Sequence, residues 1–129
     1  MSYYIAHKTA LDFEAAIAKV KETLAAEGFG VLTEIDVAGT LHKKIGVEFR
    51  PYRILGACNP RLAHHALTTE AHIGTMLPCN VIVQVLPEGG VEVAAIDPVA
   101  SMQTVGSAAL AEVAGQVHDM LKRAVDAVG

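Results

Sequence analysis

Residues 79–86 (CNVIVQVL) restrict the fold of this chain more than any other segment. They are rich in β-formers, and Pro87-Glu88-Gly89-Gly90 separates them from a second strand-like run at 91–96 (VEVAAI), so the two read as an antiparallel hairpin with a four-residue turn. Val81-Ile82-Val83 departs from strict polar–apolar alternation. A strand of that kind needs apolar cover on much of both faces. The long helices identified next can cover only one, so the other face has to meet a ligand, a loop or a second subunit.

Phe13, Ala16, Ile17, Val20 and Leu24 recur at helical spacing, which predicts a first helix from Thr9 or Asp12 to Glu27, with Gly28 as its terminator. A short strand, 2–7, precedes it, and 29–36 (FGVLTEID) reads as the second strand. Val37, Leu41 and Ile45 are spaced by four before Gly46, suggesting a short amphipathic turn or helix. Residues 52–58 form the third strand. Asn59-Pro60 then gives a cap followed by proline at the first helical position, predicting a helix over 60–70. Leu110, Val113, Val117, Met120, Leu121, Ala124 and Val128 form an apolar stripe for a C-terminal helix starting near Ser107. Gly115 inside it suggests close backbone packing at that turn.

Nothing divides the chain, so 1–129 is expected to be one domain. Apolar residues make up 52% of the chain and its net charge is only −4, a balance unlike that of a disordered segment. The same acidic balance argues against nucleic acid, which is bound through clustered Lys and Arg. No apolar run approaches the roughly 20 residues needed to span a bilayer. The chain opens without a basic segment followed by an apolar one, so the expected location is cytoplasmic.

Both cysteines precede asparagine, in Cys58-Asn59 and Cys79-Asn80. Cys58 lies one residue before the predicted helix cap, where unpaired N–H groups and the positive helix end favour thiolate. Against this stands the habit of free cysteine to be a small buried apolar residue. Antiparallel pairing of the third and fourth strands would place the two residues at one end of the sheet, and parallel pairing at opposite ends. A structural disulfide is not expected in a reducing compartment.

His64 and His65 lie about 100° apart on the second helix and do not converge on one ion as an i, i+4 pair would. A soft-metal site of Cys58, Cys79 and His64 is the weak alternative to solvated histidines. Gly28-Phe29-Gly30 joins helix to strand, the reverse of a phosphate-binding loop, and no G-x-S-x-G elbow is present. Glu34 and Asp36 share a strand face, a pattern more typical of a solvated surface than of a catalytic pair. Met76 and Met102 are expected in loops, as gap fillers or thioether ligands.

Three separated motifs carry a resemblance: EGFGVLTEIDV at 27–37, LGACNP at 55–60, and LPCNV at 77–81. Together they resemble the bacterial and archaeal family called domain of unknown function 302. The resemblance implies an α+β fold similar to that of TATA-binding protein. It is a curved antiparallel sheet in the order β-α-β(4)-α, with two long helices on one face and a short extra helix between strands three and four. It also implies homodimers and no established activity or cofactor. The scaffold is no argument for DNA binding, since the chain lacks a basic concave face.

Three readings follow. One is a binding or interaction domain holding a small ligand or soft metal beside Cys58, Asn59, Cys79 and Asn80. The second is a thiol redox protein or enzyme, with Cys58 as nucleophile, Cys79 as resolving partner and the asparagines donating hydrogen bonds. The third is a structural homodimer whose free sheet face is the interface. No arrangement specific to a reaction is visible, so binding is favoured over catalysis.

Overall fold

A computed structural model describes residues 2–129. Five strands, β1 (Tyr4–Thr9), β2 (Gly30–Asp36), β3 (Tyr52–Cys58), β4 (Cys79–Val85) and β5 (Val91–Ile96), form one curved open sheet in the order β1-β5-β4-β3-β2. All neighbours are antiparallel. The predicted hairpin is β4–β5, closed by a hydrogen bond from Leu86 N to Gly90 O.

Two long helices, α1 (Phe13–Ala26) and α5 (Ala108–Asp126), pack together and against the sheet. Asp12, not Thr9, caps α1, accepting from Ala15 N at 2.8 Å. Ser107 caps α5 through Leu110 N. Ala16, Val20 and Leu24 of α1 meet Leu121, Ala124 and Val125 of α5 over Leu55, Val81, Val83 and Val93 of the sheet, all essentially inaccessible to solvent. This core is what the spacing of apolar residues in both helices prescribed.

The short helices are α2 (Val37–Ile45), α3 (Pro60–Thr69) and α4 (Pro98–Met102). Single 3₁₀ turns at Ile73–Met76 and Gln103–Val105 accompany α3 and α4. Asp36 ends β2 and caps α2 through Gly39 N, so the second carboxylate of the Glu34/Asp36 pair serves the backbone. Glu34 instead receives Lys21 Nζ at 2.7 Å and Arg53 Nη1 at 2.6 Å. Hydrogen bonds from Lys21 and then Arg53 hold its carboxyl below the usual range.

Two expectations are corrected. The first strand lies two residues later than 2–7, paired over Tyr4–Thr9 with β5. Gly115 is not at a close approach: a side-chain carbon there would meet nothing within 4 Å. Gly56 is at a close approach instead: an added Cβ there would collide with Thr33 Oγ1 and lie 2.7 Å from Pro78 Cγ.

Candidate functional site

The site is built where β3 ends and β4 begins. Pairing runs Leu55 to Val81, Gly56 to Asn80 and Ala57 to Cys79, so the two Cys-Asn motifs share one end of the sheet, the antiparallel alternative left open by the sequence. Pro78 enters β4 through a cis peptide bond. Asn59 terminates β3 and caps α3, its Oδ1 accepting from Leu62 N at 3.3 Å.

Ala57 is buried, and Cys79 directly opposite it packs against the same core. Cys58, one residue further along β3 and in register with Gly30, lines the same hollow as Cys79 at this sheet end. Both cysteines are free. Burial pushes the Cys79 thiol up to about 11, with the neighbouring Cys58 adding to the shift. That is the opposite of the activation a nucleophilic or metal-binding thiolate needs.

Asn80 points to the sheet face that no helix covers and is exposed. His64 is exposed on α3, its carbonyl accepting from the Thr68 hydroxyl. Among the described residues no three His, Cys, Asp or Glu side chains converge on a point that could hold a metal ion. The structure thus gathers Cys58, Asn59, Cys79 and Asn80 in one region and leaves His64 outside a three-ligand set.

Two hollows meet at this region. An inner one of about 50 Å³ lies between the sheet end, α3 and α5, with Ala66, Leu110, Ala114 and Val117 among its walls. An outer cleft of about 250 Å³ is edged by Thr75, Asn80 and Ser101. They share Leu77, Pro78, Cys79, Pro98 and Met102 as a common rim. Among the described residues no charged side chain lines either one.

A family model described as domain of unknown function DUF302 matches residues 5–128. The chain belongs to that family. A crystal structure of an uncharacterized conserved DUF302 protein from Bacillus stearothermophilus is similar to it, with 27% sequence identity, 97% of each chain covered and a TM-score of 0.91. A search of curated proteins finds no match. This DUF302 chain therefore has the α+β fold the motifs implied. No helix of the described residues is long and apolar enough to cross a membrane.

Sequence reasoning missed the rim supplied by α4 and its 3₁₀ turn. Asp97-Pro98 carries the same start signal as Asn59-Pro60, with Asp97 accepting from Val99 N at 2.9 Å. It also missed a polar chain on the open sheet face, where Arg50 donates to Gln84 and Gln84 donates to Glu92. Gln84 and Glu92 interrupt their strands at paired positions, which was the available signal.

Proposed function

We propose that this DUF302 domain is a binding module for a small neutral amphiphile, held where the two hollows meet at the start of β4. The observation that carries the reading is the shared rim: a largely apolar hollow has Cys79 and Met102 in common with a wider cleft that has Thr75, Asn80 and Ser101 at its edge. The inner hollow is about a third of the roughly 150 Å³ cavity that accommodates benzene, so it takes a short alkyl or thioether end and not a ring. The outer cleft takes the polar end. With no charged side chain in either lining, an ionic head would lose hydration without a counter-charge, which selects an uncharged alcohol, amide or carbonyl group.

Binding is favoured over turnover. Burial, with the neighbouring Cys58 adding to it, holds Cys79 protonated at neutral pH, which weighs against a thiol relay or a two-thiolate metal site. Amide and methyl NMR shifts during titration with short neutral alcohols and amides test the proposal. The expected result is saturable shifts centred on Cys79, Asn80 and Met102, abolished by Ala114→Leu, which fills the inner hollow, and weakened by Asn80→Ala. Shifts centred elsewhere, or unchanged in both variants, would overturn it.

A further inference from the structure

The sheet face opposite α1 and α5 is hollowed into a cleft of about 380 Å³, with Tyr3 and Tyr4 at one end and Tyr52 and Glu92 at the other. Register builds it. Tyr4 pairs with Ile96, Ile82 with Ala94, and Gln84 with both Tyr52 and Glu92, so alternate rungs of the ladder present their side chains to the same face. Asn80 and Gln84 stand four residues apart on β4, which sets the two ends about 13 Å from each other. Ile82 and Ala94 form the floor between them. The cleft is two to three times the roughly 150 Å³ cavity that accommodates benzene, so it takes a body of about two rings.

Among the described residues, Glu92 is the one charged side chain that lines this cleft. Gln84 holds it in place: Gln84 Oε1 accepts from Arg50 Nη2 at 3.0 Å, and Gln84 Nε2 donates to Glu92 Oε1 at 3.1 Å. Two cations stand nearby. Arg50 lies over the Phe49 and Tyr52 rings, and the exposed Lys8 opposes Glu92 from the edge strand β1. Neither forms an ion pair with Glu92 among the described residues, and neither lines the cleft. At the far end the Tyr3 and Tyr4 rings meet edge to face, with centroids 5.1 Å apart. Tyrosine rings attract cations through their quadrupole, more strongly as water is excluded. A carboxylate without a counter-charge in a tyrosine-walled cleft is thus suited to an organic cation.

We infer that this cleft binds a small aromatic amine in its protonated form, with the ammonium group between Glu92 and Tyr52 and the ring system over Ile82 and Ala94 toward Tyr3 and Tyr4. Charge selects this occupant. An anion of the same size would meet Glu92 with no basic side chain in the lining, and a neutral molecule would strip water from the carboxylate without replacing it. The net charge of −4 on the whole chain adds a longer-range attraction for cations. Size selects it as well, since a single ring leaves one end of the cleft open and a third ring overruns it. Asn80 and Ile96 border both this cleft and the outer cleft assigned above to a neutral head group, but the two sites differ in Glu92 and in the charge of what they hold.

Tryptamine is the probe, because it joins two fused rings to an ammonium group and its indole fluorescence stands clear of a chain that contains no tryptophan. Fluorescence anisotropy of tryptamine, titrated with the full chain near neutral pH, is expected to saturate. Binding is expected to be about tenfold tighter than that of the neutral alcohol tryptophol, and the anion indole-3-acetate is expected not to saturate. Glu92→Gln should bring tryptamine down to the level of tryptophol, with tryptophol binding and circular dichroism unchanged. Tyr3→Ala, at a position 70% exposed, should weaken both probes alike. Absence of tryptamine binding overturns the inference, including absence because a second copy seals the face. So does equal binding of the three probes, or tryptamine binding that either variant leaves unchanged. Ala114→Leu separates the two sites: it fills the inner hollow and is expected to leave tryptamine bound, so either site can fail without the other.

Discussion

Alkylation of Cys79 offers the most direct check on the chemistry assigned to this chain. Its thiol is raised from 9.0 to about 11, first by burial and second by Cys58. Two units lower the thiolate fraction near neutral pH by about 100-fold relative to an ordinary thiol. The remaining thiolate is more nucleophilic, by about eightfold for a Brønsted slope near 0.45, so about tenfold slower reaction survives from ionisation alone. Restricted access through the rim of Leu77, Pro78 and Met102 slows it further. Iodoacetamide labelling of the Cys58→Ser variant, followed by peptide mass spectrometry in native and urea-unfolded protein, reads this ratio. Native Cys79 is expected to react at least tenfold more slowly than unfolded. The same shift has a stability consequence. The folded state retains a proton that the unfolded state loses, so stability is full below about pH 9 and falls as pH rises toward 11, by on the order of 2–3 kcal/mol. Native labelling as fast as unfolded, or stability flat across that window, would refute the account and return Cys79 to the list of reactive thiols.

Two further outcomes test the construction of the site. Gly56→Ala places a methyl group against Thr33 Oγ1 and Pro78 Cγ, and overpacking of this kind costs about 1–3 kcal/mol, so calorimetry should show a melting temperature several degrees lower, partly restored by adding Thr33→Ala. Asn59→Ala removes the acceptor for Leu62 N and is expected to cost about 1 kcal/mol in urea unfolding, while Asn59→Asp, which keeps the acceptor, stays close to wild type.

The backbone plan was legible because its signals are local. Asn59-Pro60 started α3, Ser107 capped α5, and the stripes on α1 and α5 named the side chains that now cover Leu55 and Val81. The motifs at 27–37, 55–60 and 77–81 identified the family. The candidate site was legible only as a neighbourhood. Cys58, Asn59, Cys79 and Asn80 do gather at one sheet end, yet the activation read from the helix start beside Cys58 has no counterpart at Cys79, whose thiol is driven upward. Gly115, read as a point of close approach, faces open space, and the role belongs to Gly56.

What residue order settles here is periodicity and punctuation: where the chain turns and where helices begin. Each depends on residues a few positions apart. Pairing register depends on residues far apart in the chain, and it alone decides that Ala57 opposes Cys79 and that five isoleucine and alanine residues line up across five strands. A shift of one residue in the β3–β4 register would turn Cys79 to the opposite face, because side chains alternate along a strand. The chemistry of the cysteines is therefore a property of the assembled sheet: the local motif supplies the thiols, and strand register brings both to one sheet end, where burial raises the Cys79 thiol.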